Sequence, residues 1–404
     1  MICGLTSCAC CCFNALLGCA GNVKKTMSNA RYYSVFLIWM LFCIIIQFLP
    51  NNDIVNNNLD KVFGRHGIEI VYRASCAIFC SFLLLFLSTL AWPATHHMFL
   101  GIFLLILIFF TWLFIWGVDS SSWIGFYRGC ARVGSVFYLI LQLMAFVDLS
   151  FTVHDLLIVK MDETNKRYNY TDKTCCCANQ WKSMYITLGV FFTLGSIACC
   201  IVFYGLFHKQ GVCLGNIVMI TLTLLMGITC LCLCLTEKFN RGLLPPATFF
   251  LVTVFYLVSA LLASPNANCN PYLSSSNYWL TAINVVLNVI SGFWMAYRIK
   301  SENAEKEDEE AEQKPDAEKG PKLEIPAEDS RQWCLFNLCM VLNSLYLAMM
   351  ASAWYSGDFT MRPTLVSQFA SNSTLWIYFL SIVVGFVLFM YILFAPFINP
   401  NRRY

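Results

Sequence analysis

Asp148, His154 and Asp155 lie inside a run, residues 133–160, that is otherwise apolar enough to cross a membrane. Counted from Val133 at 1.5 Å per residue, Asp148 falls roughly 22 Å along a helix, past the near headgroups. A carboxylate at that depth needs a partner or a wet cavity, because leaving it in hydrocarbon costs several kcal/mol. Two chemistries are open to it. Desolvated and isolated, it could couple the movement of a proton or cation; hydrogen-bonded to Gln142, Thr152 or a neighbouring helix, it is a buried anchor. Asp155 follows Asp148 on the same helical face, whereas His154 points elsewhere, towards the expected cytosolic interface.

A partner for that face is offered further along. Asn277, Thr281, Asn284, Asn288 and Ser291 recur at spacings of four, three, four and three, a polar stripe down one side of a helix. In hydrocarbon, such groups are satisfied by other helices or by a hydrophilic ligand, each contact contributing roughly 0.6–2 kcal/mol. The stripe is therefore either glue between helices or the lining of a path for lipid headgroups or a small polar solute. Arg128 and Arg132 precede the Asp148 run, and Glu69 and Arg73 sit one turn apart near another apolar segment. Both pairs fit interfacial snorkelling, and both fit phosphate headgroups, whose oxygens match guanidinium donors.

Cysteines supply the remaining reactive groups. Cys3, Cys8, Cys10, Cys11, Cys12 and Cys19 crowd the amino terminus, and Cys175, Cys176 and Cys177 crowd a later polar segment. Thiols beside a membrane are candidate acylation sites, Cys10, Cys11 and Cys12 foremost. Zinc competes poorly, since adjacent cysteines do not converge on one tetrahedral ion and no histidine accompanies them. Cys230, Cys232 and Cys234 point in different directions on a helix and read as packing residues. No metal and no cofactor is expected. There is no phosphate-binding glycine loop, nucleophile elbow or zinc-protease helix, so an enzyme in the ordinary sense is not expected.

The elements that position these groups follow from composition. The chain of 404 residues is 58% hydrophobic, 16% aromatic and 12% charged, which is membrane composition. A net charge of +3 with no basic–aromatic run argues against nucleic acid as a partner. Ten apolar segments can be placed, near residues 31–49, 74–92, 98–116, 133–160, 182–207, 213–235, 246–264, 278–298, 333–355 and 375–394. No cleavable signal peptide is evident, and the first segment reads as a retained anchor. The division is a cysteine-rich amino terminus (1–30), eight spans (31–300), an acidic loop (301–330), two spans (331–395) and a tail (396–404). The loop carries 12 of the 23 acidic residues and should be unstructured.

Alternating the loops puts 19 Lys and Arg on the side of the amino terminus and 7 on the other, so both termini are predicted cytosolic. Asn169 then lies in a cytosolic loop and should be unmodified, while the sequon at Asn372 lies outside and is a possible glycosylation site. Any disulfide should draw on Cys130, Cys269 and Cys213, on or near the non-cytosolic side.

Several stretches, taken in order, resemble the serine incorporator family of eukaryotic multipass membrane proteins. They are the cysteine-rich start, Val71-Tyr72-Arg73, Phe146-Val147-Asp148, Arg241-Gly242-Leu243-Leu244 and Asn268-Cys269-Asn270-Pro271. Ser344-Leu345-Tyr346 to Ala353-Trp354-Tyr355, Leu393-Phe394-Ala395-Pro396 and Asn401-Arg402-Arg403-Tyr404 complete the set. The resemblance implies an all-α polytopic fold of ten transmembrane helices, in two helical subdomains with the fourth and eighth helices crossing between them. It also implies homo-oligomers, as hexamers, in the secretory pathway or plasma membrane, with membrane phospholipids as partners. Its members are associated with serine incorporation into phosphatidylserine and sphingolipids, and some look like nucleotide-independent phospholipid scramblases. One departure is that residues 50–67 hold no cysteine where relatives carry a pair.

The expectation is thus a passive phospholipid scramblase or lipid-binding membrane protein. The candidate path residues are Asp148, Asp155, Asn284, Asn288, Ser291, Arg128, Arg132, Glu69 and Arg73. A transporter of serine or another small polar solute is the alternative, and a non-transporting scaffold the second. In the resemblance's light, Asp148 shifts from relay towards anchor of the helical cross.

Overall fold

In the computed structural model, residues 23–48, 67–91, 100–118, 122–168, 179–208, 213–236, 239, 241–266, 268–272, 278–313, 327–354 and 372–398 are described. They form ten helices and no strand: α1 (Val23–Phe48), α2 (Gly67–Ala91), α3 (Leu100–Trp112), α4 (Ser122–Tyr168), α5 (Gln180–Phe207), α6 (Leu214–Leu235), α7 (Leu244–Leu262), α8 (Tyr278–Gln313), α9 (Ala327–Ala351) and α10 (Asn372–Ile398). Nine are long and apolar enough to cross a membrane, and α1 carries a shorter apolar stretch, Arg31–Ile46. The molecule is an all-α polytopic membrane protein.

Burial follows composition in the sense expected in lipid, where helices gain little from hiding apolar side chains and much from hiding polar ones. The apolar window of α7 is 83% buried and that of α9 72%, while the far more apolar α3 is 17% buried. Each of the two buried helices is the centre of a group. α9 packs against α1, α2, α4 and α8; α7 packs against α4, α5, α6 and α10. α4 alone packs extensively on members of both groups, and α8 meets α4, α1 and α9. Close approach of α4 to α9 depends on Gly134, where a Cβ would run into Leu345.

The ends of these helices are tied by side chains. α3 finishes in a π-helical turn, Leu113–Gly117, which leaves carbonyls without helical donors. Arg73 of α2 supplies them, with Nη1 donating to the carbonyls of Phe114 and Val118 at 2.6 Å each. Asn179 caps α5 by accepting from the Trp181 backbone N–H at 3.0 Å, while its amide donates to Met161 O and Asn165 Oδ1 near the end of α4. The Arg241–Leu244 stretch enters α7 through Gly242 at φ +77, where a Cβ would meet His154 and Tyr185. Tyr185 Oη accepts from Leu243 N at 2.7 Å, and prolines at the start of α7 need no such partner. At the other end of α7, Asn270 Nδ2 donates to the carbonyls of Leu262 and Ser264, and Cys269 is disulfide-bonded to Cys213.

Two elements differ from the sequence reading. α4 is 47 residues long, not 28. Arg128 and Arg132 break an apolar count but not a helix, because arginine is a good helix former. α8 likewise continues beyond its apolar run, to Gln313, through Glu, Ala and Lys residues that favour helix once a span has nucleated it.

Candidate functional site

The polar stripe of α8 faces inward, with Thr281, Asn284, Asn288 and Ser291 all buried. Its partners are one side of α4 and tyrosines from three other helices. Tyr138 Oη of α4 donates to Asn288 Oδ1 at 2.7 Å, and one turn further Gln142 Nε2 donates to Ser291 Oγ at 3.2 Å. Gln142 Oε1 in turn accepts from Tyr256 Oη of α7 at 2.8 Å. Tyr346 of α9 donates to Asn284 Oδ1 at 3.1 Å and stacks on Tyr138, ring centroids 5.0 Å apart. From α1, Tyr33 Oη reaches the carbonyl of Val289 at 3.0 Å, passing over Gly292, where a Cβ would lie 2.5 Å from that oxygen. Tyr378 of α10 packs beside Tyr256, with centroids 5.9 Å apart. One polar node thus joins both helix groups through α4 and α8.

Some buried amide atoms of α8 and α9 are unmatched. Asn288 Nδ2 is buried with no hydrogen-bond partner, and so are both Nδ2 and Oδ1 of Asn343, on α9 one turn before Tyr346. Asn343 is 1% exposed and Asn288 0%.

Asp148 stands apart from this node. Its Oδ2 accepts from Trp294 Nε1 of α8 at 2.8 Å and lies 3.4 Å from Arg298 Nε. The partner is the eighth helix, and the side chain is 40% exposed at the protein surface rather than enclosed by other helices. Thr152 donates to the Asp148 backbone carbonyl rather than to its carboxylate. Asp155 is exposed, and His154 is half-buried against Tyr185, centroids 5.4 Å apart.

The two charged pairs near the other end of the bundle separate in character. Glu69 and Arg73 are buried against each other, Nη2 to Oε1 2.8 Å, with the Arg73 guanidinium 5.6 Å from the centre of the Trp123 ring. Arg128 and Arg132 are half-buried on α4, and Arg132 Nε and Nη2 have no hydrogen-bond partner. Asn372 is exposed at the start of α10, whereas Thr374 of its sequon is buried. Cys213 and Cys269 are the pair joined among the three cysteines considered; Cys130 is free. Cys230 and Cys234 are buried and Cys232 exposed, and no His, Cys, Asp or Glu group able to hold a metal occurs among the described residues. Cys10, Cys11, Cys12, Cys175 to Cys177, Asn169 and Asn277 lie outside the described residues.

Tyr33, Tyr138, Tyr256, Tyr346 and Asn343 were not singled out by sequence. A tyrosine in an apolar span is ordinary interfacial composition, and only contact shows that these hydroxyls converge. Asn343, like Asn337, is an amide inside an apolar segment, a composition that marks a face turned towards other helices.

A family model described as serine incorporator matches residues 1–332 and 298–402. The chain belongs to the serine incorporator family. Serine incorporator 2 of Mus musculus is 24% identical over 336 residues, covering 73% of this chain and 70% of the relative. The Homo sapiens serine incorporator 2 is 24% identical over 326 residues, covering 71% and 66%. Serine incorporator 3 of Mus musculus is 26% identical over 158 residues, covering 38% of this chain and 31% of the relative. The matched stretch thus spans about two thirds of the length of the first two relatives and about a third of the last.

Proposed function

We propose that this serine incorporator family protein is a passive, nucleotide-independent phospholipid scramblase whose headgroup path is built around the α4–α8 node. The observation that carries the reading is the set of buried, unmatched amide atoms on Asn288 and Asn343. A node that only held helices together would match its amides, because each one left unmatched in a low-dielectric interior is costly. Atoms left over where two helix groups meet suit a place that water or a polar headgroup visits. Slight separation of the groups along α4 would present Asn284, Asn288, Ser291, Gln142 and the tyrosine hydroxyls as successive partners, lowering the cost of carrying a headgroup through hydrocarbon. The phospholipids named by the resemblance, phosphatidylserine first, are the proposed substrates, and a homo-oligomeric, hexameric assembly with cytosolic termini is proposed with them.

Reconstitution into vesicles with fluorescent phosphatidylserine in both leaflets tests this. Bleaching of the label by an impermeant reductant should proceed beyond the outer-leaflet half; a halt at that half, as in protein-free vesicles, rejects scrambling. The same unmatched amides favour a second reading, transport of serine or another small polar solute. In that case labelled serine uptake should fall in Asn288→Leu with no lipid movement in the wild type.

A further inference from the structure

We propose that Arg132, with Arg128 beside it, holds the phosphate of an anionic lipid at a fixed site on the lipid-facing flank of α4. The proposal needs only that the helix lies in a membrane, so it stands whether or not the protein moves lipids.

The first observation is the state of Arg132. Its Nε and Nη2 are shut off from solvent and donate to nothing. Another guanidinium in this chain shows the contrast: Arg73 is bonded to Glu69 and to two carbonyls. Arg128 stands one turn earlier on the same face, so a like charge lies beside Arg132, with Tyr72 of α2 also near it.

The second observation is the surroundings. On the turns that flank the arginines, Phe126, Val133 and Phe137 are 79%, 61% and 57% exposed. Side chains of that size turned outward mark the level at which α4 meets lipid tails. Ala131, next to Arg132, is fully buried, so Arg132 sits on the seam between the lipid-facing side and the packed one. A charge with unmatched donors at such a seam calls for an anion, and one able to arrive sideways from the bilayer. A phosphodiester supplies two oxygens to the planar fork of a guanidinium, and every phospholipid brings one to this level of the bilayer. Free phosphate shares this chemistry but would approach from water.

The full chain, purified in neutral detergent and stripped of lipid, can be offered phosphatidylglycerol, phosphatidylcholine or inorganic phosphate. Retention would be read by native mass spectrometry and stabilisation by thermal shift. The wild type should retain about five- to tenfold more phosphatidylglycerol than phosphatidylcholine, the scale of one charge-assisted bidentate contact. Arg132→Gln should lose that preference, and Arg132→Lys, which keeps the charge without the fork, should keep a reduced one. Equal retention of the two lipids by the wild type, or an undiminished preference in Arg132→Gln, overturns the proposal. Stabilisation by inorganic phosphate as large as that by phosphatidylglycerol overturns the lipid assignment. Should Arg132→Gln not fold, the two-lipid comparison on the unaltered chain decides alone.

Discussion

The indole N–H of Trp294 donates to Asp148 at 2.8 Å, and Arg298 stands 3.4 Å away, so the carboxylate clamps α4 to α8. Its half exposure weakens the ionic part, and the hydrogen bond should carry most of the effect. Asp148→Asn, which keeps an acceptor, should cost less than ~1 kcal/mol, and Asp148→Leu, which leaves two donors unmet, roughly 1–3 kcal/mol. Thermal unfolding in detergent, followed on both variants, checks the order; equal losses would mean that charge matters more than the bond. The helical partner of Asp148 was legible in the sequence, because a polar stripe on α8 had to meet something. Its exposure was not, since which neighbours enclose a side chain is set by packing and not by its place along α4. At Arg73 the sequence could show a guanidinium near an interface but not that a π-helical turn of α3 would take up its donors.

Among the elements, the α1–α8 contact rests on a missing side chain. Tyr33 reaches the Val289 carbonyl across Gly292, and any Cβ there collides with the ring. Gly292→Val should therefore destabilise by about 1–3 kcal/mol, as overpacking does, and Tyr33→Phe should relieve only part of it, because the hydroxyl contact goes while the ring remains. Unfolding midpoints of the single and double variants measure this. The disulfide between Cys213 and Cys269 ties the α5–α6 connection to the α7–α8 connection. If those connections face the oxidising side, as the distribution of basic residues proposes, Cys213→Ser should leave a Cys269 thiol that an impermeant maleimide reaches from outside intact cells or from the lumen. Labelling only after the cytosolic face is opened would reverse the orientation. Ten helices were legible from apolar length alone, but α7 and α9 as inner helices were not, since α8 is less apolar than either and less buried. The length of α4 was not legible, because hydropathy reports where lipid is and not where a helix stops.

For the whole molecule, α4 is the member common to both helix groups, and the node of Tyr138, Gln142, Asn284, Asn288, Ser291, Tyr256 and Tyr346 lies along it. Half of that node, the α8 stripe and Gln142, could be read from spacing. The tyrosines belong to three helices far apart in sequence, and nothing short of their packing brings them together. The central claim is that this node is a path as well as a joint. Vesicles carrying equal copies of the wild type, Asn288→Leu and Asn343→Leu, with labelled phosphatidylserine in both leaflets, test it through the rate at which inner-leaflet label becomes reducible. Removing an unmatched amide costs no existing hydrogen bond at Asn343, so that variant should insert and unfold like the wild type while its rate falls roughly tenfold, the effect of losing about 1.4 kcal/mol from the barrier. A wild-type rate in both variants, at equal insertion, would contradict the account and leave the node as a joint alone.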